Sequence, residues 1–424
     1  MRRLRIILLL FFATQILHSQ DRTLSLSDAI SIAMENNFGL RISKAETEIA
    51  RINNNWASAG RLPSIGFNLN GLNNYNITDD NLSSRVNAGI GLNWTVFDGF
   101  RISLTKDKLD RLEDLAEGRA SVVVENTIED VIGGYYQVLL QQERLKVLGN
   151  IMKLSEDRYE YEKTRQEVGG SVTYNVLQAK NNFLSDKAAF ISQEANYRNA
   201  VRNLDYILGL DSSVSWTFTE EFTADTAEYS LSDLLDRMMS DNTLLKNQYI
   251  NILLSKNETD LSKSDYLPSL RLSAGIENGN ILSPQAIRGS NISAYGNITL
   301  SYDIYQGGLR NRAVEVAMIN EAIAGIEEEE LKRSLSNQLL NLLDQYNVQK
   351  ELLYIAGENV EAAELNMQIA GEKFRTGAIN SFNYRDIQLI YLNAAYQQLQ
   401  DVYNLITTGA ALTRLTGGFI KEDE

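Results

Sequence analysis

The stretch RLPSIGFNLNG, residues 61–71, contains one of only three prolines in a chain of 424 residues. Upstream of it, from about Leu26 to Ala59, the spacing and composition are those of a helix of about 33 residues. Downstream, Ile65, Phe67 and Leu69 alternate with Gly66, Asn68 and Asn70. Proline removes a helical N–H and clashes with the preceding turn, and a period of two belongs to a strand. The stretch therefore reads as a helix handing over to a strand, with Pro63 at the handover. The same words return in YLPSLRLSAGI, residues 266–276, with Pro268 lying 205 positions after Pro63.

That recurrence is one of five in a fixed order. LSLSDAISIAMENN (24–37) matches YSLSDLLDRMMSDN (229–242), and NWTVFDGFR (93–101) matches SYDIYQGGLR (301–310). EVGGSVTYNVLQA (167–179) matches RTGAINSFNYRDI (375–387), and YILGL (206–210) falls against TRLTGG (413–418). The offset is 205 before the strands and 208 after them, so the length change lies between the paired strands. A duplication of about 200 residues is too long a period for a solenoid.

Each repeat has one grammar: a helix, LPS, a strand, a polar loop, a second strand, a very long helix, a glycine turn and a helix of about 40 residues. Phe100 to about Arg165 has no proline and carries the row Val131, Val138, Leu145 and Met152, with Ile128 and Tyr135 beside it. At 1.5 Å per residue such a helix is roughly 100 Å long. Glu327–Glu330, followed by Lys332 and Arg333, reads as a solvated face with i,i+4 pairs. From Val86 to Val96 the even positions are Val, Ala, Ile, Leu, Trp and Val, and the odd ones Asn, Gly, Gly, Asn and Thr. The same alternation runs through 270–277 and 292–304, with Trp94, Phe97, Tyr302 and Tyr305 near the ends. One apolar face, this length and terminal aromatics are the pattern of outer-membrane barrel strands; an amphipathic sheet packed on helices is the alternative. Gly89-Ile90-Gly91 lacks the following helix that a phosphate loop needs.

Composition narrows the function classes. Arg2, Arg3 and Arg5, then the apolar run Ile6–Leu17, read as a secretory signal over 1–20, whose removal would take the formal charge from −15 to −18. The chain has no cysteine, and its one histidine, His18, lies inside that signal. Disulfides, thiolate sites, imidazole bases and imidazole ligands are excluded from the mature chain. No carboxylate pair is isolated, so no enzyme activity, metal or cofactor is expected. An acidic chain is a poor nucleic-acid binder.

Four strands cannot close a barrel, and an open edge leaves amides unpaired in lipid. The chain must oligomerise: a dimer would give eight strands, a trimer twelve with room for a pore. The expected fold is mainly α with a small β part, an internally duplicated helical-hairpin bundle plus four strands per chain. The first repeat covers 21–215, with strands at about 62–73 and 86–97 and long helices over about 100–209. The second covers 216–418, with strands at about 267–278 and 292–305 and helices over about 308–416, then a short acidic tail at 419–424.

With the LSDAI openings, the paired LPS strand starts, the FDG and YQGG strand exits and the two glycine hairpins in the same order twice, the chain resembles the TolC-like outer-membrane efflux channels. The resemblance covers essentially the whole mature chain and implies a homotrimer with a twelve-stranded barrel in outer-membrane lipid. It also implies a helical periplasmic tunnel that meets a periplasmic adaptor (membrane fusion) protein and an inner-membrane pump. The implied function is a passive exit duct for tripartite efflux or type I secretion; the competing reading is a soluble periplasmic coiled-coil scaffold or adaptor. On the resemblance, Val168, Gly169, Gly170, Thr376, Gly377 and Ala378 are the adaptor contact, although plain turns account for the glycines equally well. The aperture falls on Asn175 and Gln178 of the first repeat and on Asn383 and Asp386 of the second. Asp386 alone keeps a charge there, and a solvated helix acid is its competing reading. The alternative to a charged constriction is one by bulk, at the nearby Tyr174 and Tyr384.

Overall fold

The computed structural model describes residues 22–78, 81–211, 215–283 and 286–419. The signal read over 1–20 and the tail beyond Phe419 lie outside the described residues. In chain order the elements are β1 (Arg22–Leu24), α1 (Leu26–Asn36), α2 (Phe38–Asn53), β2 (Ser64–Asn76), β3 (Asn81–Asp98), α3 (Arg101–Glu167) and α4 (Thr173–Leu208). Then come β4 (Trp216–Phe218), α5 (Leu231–Asp241), α6 (Thr243–Ser264), β5 (Ser269–Ser283), β6 (Ala286–Ser301), α7 (Leu309–Arg375) and α8 (Ser381–Leu415). The duplication is visible in the lengths: α1 and α5 have 11 residues each, and α3 and α7 have 67 each.

The described residues form two compact units. One gathers the chain up to Ile42, Ser121–Asn242 and everything from Ser334 onward. Its core joins Leu24, Ala29 and Ala33 to Val131, Tyr135, Val138 and Leu139 of α3 and to Ala200, Leu204 and Leu208 of α4. The row expected along α3 thus faces inward at Val131, Tyr135 and Val138, whereas Leu145 and Met152 are only half-buried and Leu148 and Ile151 take the core positions. β1 and β4 pair in parallel, a two-stranded sheet that three-residue segments give no periodicity to reveal. The Tyr135 hydroxyl donates to the Leu24 carbonyl at 2.8 Å and ties that sheet to α3.

The helix expected from Leu26 to Ala59 is broken at Asn37, where ψ turns to 130°. Asn37 accepts from the Leu40 amide at 3.1 Å and donates to the Ile207 carbonyl at the end of α4 at 2.8 Å, so its side chain caps one helix and holds another. The second repeat does the same: Asn242 has ψ 120° and donates to the Leu415 carbonyl at 2.9 Å. Against each break sits a left-handed glycine that ends the long helix. A Cβ on Gly209 would lie 2.4 Å from the Asn36 carbonyl oxygen, and one on Gly417 would lie 2.6 Å from that of Asp241. The amides of Gly209 and Leu210 return to Tyr206 and Asp205, and those of Gly417 and Gly418 to Arg414 and Thr413, the Schellman pattern.

The other unit holds Ser43–Ala120 and Thr243–Arg333. Its sheet has the order β2-β3-β5-β6, antiparallel throughout. Strand pairing continues to Asn76 opposite Asn81, and to Ser283 opposite Ala286, so the strands are longer than the alternation suggests. Asparagine and serine near the hairpin tips hide the period there. Trp94 donates to the Arg61 carbonyl at 2.9 Å, and Arg61 lies 4.5 Å from the Trp56 ring centroid, which fixes the turn before Pro63. After β3, Gly99 and Phe100 both have positive φ, as Gly307 and Gly308 do before α7. Lys332 meets Glu328 at 2.7 Å and Arg333 meets Glu329 at 4.0 Å, the solvated pairs expected of that charge run.

Candidate aperture at the hairpin tips

The α3–α4 and α7–α8 connections close two helical hairpins with one device. Gly169 (φ 76°) takes its amide back to Gln166 and Gly170 to Arg165; Gly377 (φ 77°) goes back to Phe374 and Ala378 to Lys373. These are again Schellman caps, which need a left-handed residue and so select glycine. Unlike Gly209 and Gly417, the two tip glycines have nothing within 4 Å of a Cβ position. Val168, Thr376 and Ala378 are exposed beside them, Val168 by 80%.

The two tips touch through aromatic side chains. Tyr174 stacks on Phe382 with ring centroids 6.2 Å apart, and Phe374 lies 5.5 Å from Tyr161 and 5.1 Å from Tyr384. Tyr384 is buried in a small cluster with Ala370 and Phe374. Its expected part in a bulky constriction is therefore corrected: it binds α8 to α7, and Tyr174 is the tyrosine left exposed.

The four expected aperture residues occupy two helices without joining one another. Asn175, half-buried on α4, donates to the Ser171 hydroxyl at 3.4 Å, and Gln178 buries its Oε1 without a partner among the described residues. Asn383 and Asp386 are exposed on α8, and the Asn383 amide donates to the Asn380 side chain that caps the helix. Asp386 carries no hydrogen bond or ion pair among the described residues.

Beside them lies a charged cluster that the sequence reading did not isolate. The buried seam of α3 runs Leu148, Ile151, Ser155, Arg158 and Glu162, changing from apolar to polar toward the tip. On α4, Ala179, Asp186, Gln193 and Ala200 are buried at intervals of seven; Asp186 meets Ser155 of that seam, and Gln193 donates to Gln141 further from the tip. Arg385 of α8 reaches Asp186 with two parallel bonds of 2.7 Å each, and Ser155 also donates to that carboxylate. Both partners are largely buried, with side chains 15% and 6% exposed. The geometry is the strong bidentate kind, and it fastens one hairpin to the other. Arg158 is 2% exposed and, among the described residues, donates only to the Ser381 carbonyl, at 3.4 Å, leaving Nε and Nη2 without a partner there. Burial first, and then the Arg385 charge, push its guanidinium down to about 10, against the pull of Asp186, Tyr384 and Glu162. Removing one member of a buried pair commonly costs about 3–5 kcal/mol because the other charge is stranded. The signal for this cluster was present in the heptads: charged residues at seam positions, where leucine is the default.

Among the described residues no group of acids and imidazoles is placed to hold a metal. No helix of the described residues is long and apolar enough to cross a membrane. What remains is a bare apolar sheet face, two open strand edges and two joined hairpins.

The comparisons with known proteins agree with that architecture. The family model described as "Outer membrane efflux protein" matches residues 29–210 and 234–418, one match for each repeat. The toluene efflux pump outer membrane protein TtgC of Pseudomonas putida is 21% identical over 415 residues, covering 93% of this chain and 83% of that one. Among solved structures, the CmeC outer membrane channel of Campylobacter jejuni superposes with a TM-score of 0.75 at 16% identity, covering 94% of this chain and 87% of that one. The outer membrane protein VceC of Vibrio cholerae gives 0.74 at 14%, covering 93% and 96%. Matched in both halves of its duplication, the chain belongs to the outer membrane efflux protein family.

Proposed function

We propose that this protein is the outer-membrane exit duct of a tripartite efflux or type I secretion system, working as a homotrimer whose twelve strands close a barrel. The carrying observation is the four-stranded sheet. Both of its edges, β2 and β6, are long and unpaired among the described residues, and Ile65, Phe67 and Leu69 stand 71%, 69% and 64% exposed on one face. Such a sheet suits neither water, where long open edges aggregate, nor lipid, where unpaired amides are costly. Because β2 and β6 run in opposite directions, copies added edge to edge keep the antiparallel alternation, and the apolar face meets lipid while Asn68 and Asn70 face the pore.

The hairpin tips are then the periplasmic end, where the aperture narrows at Asn175, Gln178, Asn383 and Asp386. Val168, Gly169, Gly170, Thr376, Gly377 and Ala378 offer an open, partly apolar surface to a periplasmic adaptor, itself served by an inner-membrane pump. Transport is passive in this chain and its energy comes from the pump. Fractionation, detergent sizing and planar-bilayer recording test the reading together. The protein is expected in the outer membrane, as a detergent-stable trimer that conducts ions. A water-soluble monomer would overturn the duct.

A further inference from the structure

The internal repeat carries information about a surface that the single chain leaves open. β3 pairs with β5 from Ser84 opposite Leu282 to Asp98 opposite Ser269, which is the junction between the two repeats. Its last residues, Trp94 to Asp98, lie beyond the reach of β2, whose pairing with β3 stops at Asn93. They are ordered as strand by β5 alone. The counterpart of this segment in the second repeat is Tyr302–Gln306, at the offset of 208. It follows β6 but is not strand, and its apolar side chains are bare: Tyr302 58%, Ile304 87% and Tyr305 83% exposed. Two segments with aromatic or β-branched residues at the same three positions thus differ in their surroundings: the first has a neighbouring strand and the second has none among the described residues.

Resting on the trimer reading above, we infer that the β3–β5 junction is the template for the contact between copies: β6 and its continuation Tyr302–Gln306 pair with β2 of the partner subunit in the register that β3 takes with β5. The mapping is arithmetic. A β3 residue moves forward by 208 and a β5 residue back by 205. Asn93 opposite Ser273 becomes Ser301 opposite Asn68 of the partner subunit, and Trp94 opposite Leu272 becomes Tyr302 opposite Phe67 of the partner subunit. Likewise Leu92 opposite Ala274 becomes Leu300 opposite Leu69 of the partner subunit, and Phe97 opposite Leu270 becomes Tyr305 opposite Ile65 of the partner subunit.

Chemistry that played no part in the mapping agrees with it. The register sets Leu300, Tyr302 and Tyr305 against the partner's Leu69, the partner's Phe67 and the partner's Ile65, all on the apolar face. Ser301 and Thr299 meet the partner's Asn68 and the partner's Asn70 on the polar face. A slip of one residue would set each apolar side chain opposite a polar one, with the two faces interchanged. The bulge at Val96 in the β3–β5 junction has Ile304 as its counterpart, the most exposed of the three bare side chains, so the contact should carry a bulge there.

The natural chain has no cysteine, so paired substitutions report this contact without background. Two matched pairs, Ser301→Cys with Asn68→Cys and Tyr302→Cys with Phe67→Cys, are compared with two pairs shifted by two residues, Ser301→Cys with Asn70→Cys and Tyr302→Cys with Leu69→Cys. The full-length protein is oxidised mildly in outer-membrane vesicles. Directly opposed residues in an antiparallel pair lie about 4.5–5.5 Å apart at Cα, within disulfide range, whereas shifted residues do not. One matched pair is of the closer, non-hydrogen-bonded kind, whichever it is. The expected result is a ladder ending at a covalent trimer for at least one matched pair, with the shifted pairs at least tenfold slower. Shifted pairs that cross-link as fast as the matched ones overturn the register. So does an intact trimer on native gels that no matched pair cross-links. Loss of the trimer in all four variants, with the cysteine-free protein also monomeric, would instead overturn the duct reading on which the register rests.

Discussion

Asp186 shows how far a single residue can be read. Its position at a heptad seam is plain in the sequence, but its partner is 199 residues away on α8, and no local pattern links the two. Arg385 and Arg158 were equally visible and equally unassignable, because a lone arginine on a long helix is normally solvated. In the fold Arg385 holds Asp186 across two hairpins, so Arg385→Gln should loosen the tips and raise basal conductance in planar bilayers. The loss of melting temperature should be smaller than for Asp186→Leu, because Ser155 and the nearby Arg158 still answer the carboxylate in the first variant. In the second, two buried guanidiniums are left without it. Equal losses would contradict that ranking. Asp205 allows a prediction with pH. Burial raises its pKa, against the lowering effect of the Trp216 indole that donates to it at 2.8 Å. A carboxylate raised in the fold destabilises when ionised; the penalty is absent below the unfolded value of 3.8 and complete once the pH has risen through the native value. Asp205→Asn removes the charge and keeps an acceptor oxygen. Its melting temperature relative to wild type should therefore be more favourable at pH 7 than at pH 4.

At the scale of elements, what was legible were the features with a long period: both 67-residue helices, all four sheet strands and the duplication that orders them. The helix break at Asn37 was not, because asparagine is tolerated inside helices and only the Ile207 carbonyl, 170 residues on, reveals why the chain stops there. The strand tips were missed for a related reason, since Asn-rich segments look like loops until a partner strand pairs them. The four glycine caps separate into two kinds that sequence alone renders identical. Ala at any of them incurs the cost of left-handed backbone, about 1–2 kcal/mol. At Gly169 and Gly377 that is the whole cost, since the space around Cβ is open. At Gly209 and Gly417 the new methyl would also meet a carbonyl oxygen at 2.4 or 2.6 Å, so the break in α1–α2 or α5–α6 must shift. Gly209→Ala and Gly417→Ala should each lower the melting temperature more than Gly169→Ala, with hydrogen exchange accelerated around Asn36–Leu40 or Asp241–Leu245. A tip variant as damaging as a base variant would refute the distinction.

For the molecule as a whole, charge and symmetry act together. The formal charge of −15, which removal of the three signal arginines would take to −18, sets no selectivity by itself, because charges beyond a screening length scarcely interact. In the proposed trimer, three-fold symmetry would change that for one residue. Asp386 is exposed on α8 and takes no part in the ion pair that its neighbour Arg385 makes with Asp186, so each copy would present one free carboxylate to a shared aperture. Three carboxylates around a narrow opening attract cations and repel anions, as rings of acids do in cation channels. The competing view, a solvated acid on an outer face, predicts no effect on permeation. Asp386→Asn keeps the size and removes the charge, and it spares the Arg385–Asp186 link, so assembly should be unchanged. The cation-to-anion permeability ratio should fall, and the fall should depend on salt. At 0.1 M the screening length is about 10 Å and a ring of three carboxylates should govern the aperture; at 1 M it is about 3 Å and wild type and variant should converge. Reversal potentials measured at both concentrations check this, with trimer content followed in parallel. A ratio unchanged at 0.1 M in an intact trimer would place Asp386 outside the conducting path and leave the narrowing to Asn175, Gln178 and Asn383.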